Sequence, residues 1–220
     1  NSSKFASDVD LNSAGGVDVV SSSKLAGNAL ADDTKGAFLG NVNIDAKGDV
    51  NISSKDAKSV VPFSKDLTIT TDGNIDMKNV RIMEDYSQKA TLSGKNITIR
   101  NYALDTFDWS NNILGDVDIN ATGSIKTNQV QIAGNSVMNA GNLIELSGTL
   151  LGQDSSYTAD LTGKNIVIKN SPINPPDTQG YYAQVLANLN AKASNSISLI
   201  NNGLIPALAH DAVLEAPNVN

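Results

Sequence analysis

The chain reads as an all-β protein, a parallel β-helix (solenoid) of about eight irregular coils with inserted loops, and three observations carry that reading. The line Ala90-Thr-Leu-Ser-Gly-Lys-Asn-Ile-Thr-Ile-Arg-Asn101 returns as Ala159-Asp-Leu-Thr-Gly-Lys-Asn-Ile-Val-Ile-Lys-Asn170, and an internal near-duplicate marks a chain built by stacking one structural unit. Each copy alternates apolar and polar residues up to a glycine and resumes alternating after it, as two short half-buried strands joined at a tight corner would. Looser versions recur at intervals of about 26 residues, a solenoid period, with almost no helical pattern between them. An up-and-down barrel or a sandwich is the rival architecture, since alternation by itself does not prove parallel pairing.

Taken in order, Val9-Asp-Leu11 turns at Gly15-Gly16 into Val17-Asp-Val19, and Val42-Asn-Ile44 turns at Gly48 into Val50-Asn-Ile52. Leu67-Thr-Ile69 turns at Gly73 into Ile75-Asp-Met77, and the first long copy turns at Gly94. Val117-Asp-Ile119 turns at Gly123 into Ile125, Val137 leads through Gly141 to Leu143, and the second long copy turns at Gly163. In the eighth unit Asn195 holds the corner between Leu189 and Ile197-Ser-Leu199, a substitution that suits asparagine because it tolerates positive φ. The glycine corners are therefore expected to adopt backbone that a β-carbon disfavours. The two long copies should sit three coils apart, with Ile97, Ile99, Ile166 and Ile168 in one interior column about 14–15 Å long. Residues 1–200 form the repeat domain on this reading, and 201–220 a C-terminal tail or cap.

Composition agrees. The 220 residues suffice for one domain with a full core, and their 5% aromatic content suits a flat interior filled by β-branched and small side chains. With no cysteine there is no disulfide framework, zinc-thiolate site or thiol nucleophile. A net charge of −7 argues against nucleic acid as a partner. No stretch approaches a membrane span, and the start on a strand-like pattern reads as a mature or excised piece.

Gly40-Asn-Val-Asn-Ile-Asp-Ala-Lys-Gly-Asp-Val-Asn-Ile52, echoed by Gly115-Asp-Val-Asp-Ile-Asn-Ala-Thr-Gly123, resembles the repeats of filamentous-haemagglutinin-like adhesins, the large exoproteins of Gram-negative two-partner secretion. The resemblance covers residues 9–200. It implies a right-handed β-helical shaft, extracellular or at the cell surface, exported through an outer-membrane transporter, with binding done by inserts or distal domains. It thus implies a non-catalytic structural or adhesive segment whose partner is a glycan or protein receptor, without a cofactor. The secretion domain of that family carries Asn-Pro-Asn signatures, and Ile173-Asn-Pro-Pro176 does not match them, which points to shaft. Autotransporter passengers and phage tail fibres share the same general character.

The alternative class is a carbohydrate-active β-helix enzyme, a polysaccharide lyase or hydrolase, or else a carbohydrate-binding fibre. Asp32-Asp33 is an adjacent acid pair, but it lies in a polar stretch that reads as a solvated turn. His210, the single histidine, lies in the tail, where a general base would lack an oriented partner. Asp8-Val-Asp10 and Asp116-Val-Asp118 begin like calcium loops, yet Ser13 or Ala121 stands where that loop needs glycine. No metal site is expected beyond weak surface calcium. Asparagine makes up roughly one residue in eight, and Asn74, Asn96, Asn142 and Asn165 each follow a corner glycine closely, which suggests stacked amide ladders. The sequons at Asn51, Asn96 and Asn120 fall on or beside strands, where glycan acceptors are rare.

Recognition is assigned to the inserts. One follows the first long copy and holds Tyr102, Asp105, Phe107, Asp108 and Trp109; the other follows the second copy and holds Asp177, Tyr181 and Tyr182. Rings with acids beside them on loops are the usual makings of a binding surface. Because both inserts leave after equivalent strands, they are expected on the same edge of the rod.

Overall fold

The computed structural model describes residues 5–21, 38–54, 61–82, 87–101, 112–171, 183–200, 207–208 and 211–220. Among them are strands and turns and no helix. The chain visits three faces in each coil. Coil one holds the bridge residue Phe5, β1 (Val9–Ser13) and β2 (Val17–Ser21); coil two holds the bridge residue Phe38, β3 (Val42–Ala46) and β4 (Val50–Ser54). Coil three is β5 (Val61–Phe63), β6 (Leu67–Thr71) and β7 (Ile75–Lys78), and coil four is β8 (Val80–Ile82), β9 (Lys89–Gly94) and β10 (Ile97–Arg100). Coil five is β11 (Asn112–Ile113), β12 (Asp116–Ala121) and β13 (Ser124–Asn128), and coil six is β14 (Gln131–Ile132), β15 (Ser136–Ala140) and β16 (Leu143–Ser147). Coil seven is β17 (Leu150–Leu151) and β18 (Thr158–Lys169), and coil eight is β19 (Gln184–Val185) and β20 (Asn188–Ile200). A ninth follows: β21 (Ala207–Leu208), β22 (Ala212–Glu215) and β23 (Asn218–Val219).

Every pairing runs parallel between successive coils, which makes the molecule a parallel β-helix and removes the barrel and sandwich alternatives. The first two faces belong to one 16-stranded sheet, because β18 and β20 pass the corner without a break, and the short third face is a 7-stranded sheet. In the stretch read as a tail or cap, Ala212 pairs with Leu189 and Val219 with Ile197 of the coil before.

The core is a set of columns running along the rod, one residue per coil. Ile44, Ile69, Leu92, Ile119, Met138 and Leu161 form one on the first face; Ile75, Ile97, Ile125, Ile144 and Ile166 form one on the second. All of these are buried, and each such side chain contributes about 1.5–3 kcal/mol by leaving water. Alternation puts the next residue of each strand outside, where Asn, Asp, Thr and Lys are found. On the third face Phe5, Phe38 and Phe63 stack as parallel rings, with centroids 5.1 and 4.8 Å apart. The copies at 90–101 and 159–170 do lie three coils apart. They occupy two adjacent columns rather than one: Ile97 with Ile166, and Ile99 with Ile168 through Thr127 and Leu146.

Two local readings change. In coil six the inward residues are Ser136, Met138 and Ile144, while Val137 faces outward at 37% exposure, so the apolar pattern there is one place out of register. The corner glycines, Gly48, Gly73, Gly94, Gly123, Gly141 and Gly163, do not use left-handed backbone. Among the described residues positive φ occurs at Asn79, Gln129, Gly148 and Gly152, all at other corners. What Gly73 requires is closeness: a β-carbon there would lie 2.7 Å from the carbonyl carbon of Gly48 and 2.8 Å from the amide nitrogen of Asp49 on the coil below. Gly163 lies inside β18, and its nearest backbone neighbours would be 3.5 Å away, so that position does not need glycine.

Candidate functional site

The corner between the second and third faces is where the chain departs from its regular path. Its register positions are Ser54, Asn79, Asn101, Gln129, Gly148 and Asn170 on coils two to seven, as the adjoining pairs and the chain of amide-to-carbonyl bonds at this corner fix. Coils three, five and six turn it directly, with Asn79, Gln129 and Gly148 at φ 52°, 56° and 54°. On coils one, two, four, seven and eight a longer connection joins the same two faces, through residues 22–37, 55–60, 102–111, 172–182 and 201–206.

The two inserts singled out above are among these connections, and Tyr102, Asp105, Phe107, Asp108, Trp109, Asp177, Tyr181 and Tyr182 all lie outside the described residues. Their necks are described. Asn101, buried, donates its backbone N–H to Asn128 O at 3.0 Å and its side-chain amide to Gln129 O at 3.1 Å. Asn170, also buried, accepts the backbone N–H of Ala183 at 3.0 Å, so one amide ties the departing chain to the returning chain. Ser171 Oγ donates to Asn128 Oδ1 at 3.0 Å, reaching past Gly148 on the intervening coil. Asparagine suits these necks because one short side chain offers both a donor and an acceptor to backbone that has left the ladder. Beside each neck stands a cation paired on the second face: Arg100 Nη2 with Asp76 Oδ2 at 2.6 Å, and Lys169 Nζ with Glu145 Oε1 at 2.9 Å.

The opposite corner, between the first and second faces, carries a shallow open groove of about 260 Å³ across coils four to seven. Ser93, Asn120, Thr122, Asn139 and Thr162 supply hydroxyls and amides around small residues such as Ala121 and Gly141. Among the described residues no ionisable side chain or ring lines it, and what the lining residues offer is hydrogen bonds.

Three of the carboxylates considered for metal or catalysis are engaged in hydrogen bonds, those of Asp8 and Asp116 between coils and that of Asp118 also within its own strand. Asp8 accepts from Asn41 N and Asp116 from Asn135 N, both at 2.8 Å, and Asp118 accepts from Asn120 Nδ2 at 2.8 Å. Among the described residues no group of three or more His, Cys, Asp or Glu side chains comes together. Asp32, Asp33 and His210 lie outside the described residues. The amide ladder exists in two stretches. Asn74 Nδ2 donates to Asp49 and Asn96 Nδ2 to Asn74, while Asn195 Nδ2 donates to Asn165; Asn142 joins neither through its side chain. At the three sequons the amide nitrogens of Asn51, Asn96 and Asn120 are all donated within the surface ladders.

Sequence reading missed the corner at Asn79, Gln129 and Gly148, because turn residues of three different types occupy one structural position. Their shared signal is a place: the residue directly after the last residue of the second-face strand, Lys78, Asn128 and Ser147. The chain matches no family model, and neither the curated proteins nor the solved structures contain a match to it.

Proposed function

We propose that this chain is a non-catalytic structural and adhesive segment of a secreted or cell-surface protein, in which the stacked coils act as a shaft and the inserts as contact elements. The observation that carries the reading is the placement of the insert necks: Asn101 and Asn170 are equivalent residues three coils apart on one corner, and the two coils between them turn that corner tightly at Gln129 and Gly148. A shaft of this kind would be carried to the surface of a Gram-negative bacterium by an outer-membrane transporter, as the resemblance to filamentous-haemagglutinin-like repeats implies. The partner would be a glycan or a protein receptor gripped by Tyr102, Phe107, Trp109, Tyr181 and Tyr182, with Asp105, Asp108 and Asp177 accepting hydrogen bonds.

A second reading, a carbohydrate-binding fibre, draws on the groove of hydroxyls and amides between the first two faces, which suits a neutral sugar. One experiment separates the two. The 220-residue chain is screened on a glycan array and against immobilised extracellular-matrix proteins, and any hit is repeated with Trp109→Ala, Tyr181→Ala and Asn139→Ala. Loss with the aromatic variants supports the inserts, and loss with Asn139→Ala alone supports the groove. Binding indifferent to all three overturns both.

A further inference from the structure

The groove at the corner between the first and second faces is built on one outward register position. Ser93, Asn120, Asn139 and Thr162 are direct partners on coils four to seven, so each coil sets one hydroxyl or amide along the groove, at a spacing of about 4.8 Å. Ala121 and Ala140, next along their strands, are short and leave the depression between that column and the corner. Much of the hydrogen bonding on offer there is unused. Asn120 is committed at both ends, its amide to Asp118 at 2.8 Å and its carbonyl oxygen to the amide of Asn139 at 3.0 Å. The carbonyl oxygen of Asn139 and the hydroxyls of Ser93, Thr122 and Thr162 have no partner among the described residues.

The neighbouring outward column supplies an apolar contact. Its members on the same coils are Thr91, Asp118, Val137 and Asp160, and Val137, 37% exposed, is the valine turned outward by the register change of coil six. It lies two residues from Asn139 on the same face of the strand, so a ring bonded to Asn139 can rest its apolar side on the valine methyls. The carboxylates of Asp118 and Asp160 on either side of Val137 repel an anionic ligand.

The spacing selects the occupant. Equatorially linked pyranoses form an extended chain that advances by close to one coil per ring, so successive rings meet successive members of the column. An extended polypeptide advances about 3.3 Å per residue, and about 6.6 Å between side chains on one face, and falls out of step within two coils. We infer that the groove binds a straight, neutral, equatorially linked glycan lying along the rod, one ring to a coil over coils four to seven. Such binding rests on the reading of the chain as a carbohydrate-binding fibre, and adds to it a linkage, an orientation and a length, with no part for the inserts.

The test is calorimetric titration of the 220-residue chain with cellotetraose, xylotetraose and chitotetraose, and with maltotetraose, whose axial linkages curve it away from the rod. At least one of the first three should bind about tenfold more tightly than maltotetraose, and about tenfold more tightly than its own disaccharide, since each comparison forfeits the hydrogen bonds of about two rings. Asn139→Ala and Thr162→Ala, both at the surface, should each weaken that binding about three- to tenfold, the loss of one hydrogen bond, with circular dichroism unchanged. Trp109→Ala and Tyr181→Ala should leave it as it is. Equal binding of maltotetraose and the straight tetraoses, or of a tetraose and its disaccharide, overturns the inference; if Asn139→Ala still weakens that binding, the groove remains a sugar site and the fibre reading stands. No saccharide bound at millimolar concentration overturns both. Binding that falls with Trp109→Ala and not with Asn139→Ala places the sugar on the inserts and overturns both as well.

Discussion

Replacing Gly73 with alanine tests the claim that close coil stacking, and not turn conformation, fixes the corner residue. The new methyl would lie 2.6–2.8 Å from Asp49 Oδ1, Gly48 C and Asp49 N, two of them backbone atoms that cannot rotate aside. Restoring ordinary contact at about 3.4 Å requires coils two and three to separate locally by more than half an ångström. That motion stretches the bond from Asn74 N to Asp49 Oδ1, at 2.7 Å, and the one from Thr71 Oγ1 to Gly48 O. Two weakened hydrogen bonds at about 1 kcal/mol each, together with overpacking, give an expected loss of about 2–4 kcal/mol. For a chain of this size that corresponds to a fall in Tm of about 5–12 °C. Gly163→Ala is the control, because its methyl meets nothing closer than 3.5 Å and should change stability by less than about 1 kcal/mol in either direction. Urea unfolding followed by far-UV circular dichroism, with amide exchange to locate the damage, measures both. If Gly163→Ala proves as costly as Gly73→Ala, spacing between coils is not what selects glycine.

Two further perturbations address the columns. Ile125→Ala empties a fully buried site between Ile97 and Ile144 and should cost about 2–5 kcal/mol, with exchange quickening first in coils four to six. Asn96→Ala removes the acceptor of Ser124 N at 3.0 Å and the donor to Asn74 Oδ1 at 2.9 Å; a loss of about 1–2 kcal/mol is expected, read as faster exchange at the Ser124 amide.

What sequence reading could and could not recover follows from which contacts repeat. The stacked unit is visible because an inward column asks for the same residue type on every coil, so Ile97 and Ile166 resemble each other across 69 positions of the sequence. It fails where the column relaxes. Ser136 takes a core position and Val137 faces outward, which shifts the apparent period of coil six by one. The ninth coil is hidden because its interior residues, Ala212, Leu214 and Val219, sit in a stretch with no glycine at the corner. The insert necks were legible as a place in the repeat. Their anchoring by Asn101 and Asn170 was not, since an asparagine in a loop gives no sign of which backbone groups it will tie together.

The parallel pairing also dictates an order of assembly. Partners across neighbouring coils are 33 residues apart at Asp8 and Asn41 and 19 apart at Asp116 and Asn135, so each coil needs only the short length of chain before or after it in order to form. Once any two coils have met, each newcomer finds a finished template on one side and pays loop closure for a single turn, and structure spreads outward from that seed instead of awaiting distant chain. The isoleucine-rich middle, coils four to seven, is the natural seed. The first coil, whose partners on the second lie 33 residues away, would zip on afterwards, and a defect in one coil would stall growth there while sparing what had already formed.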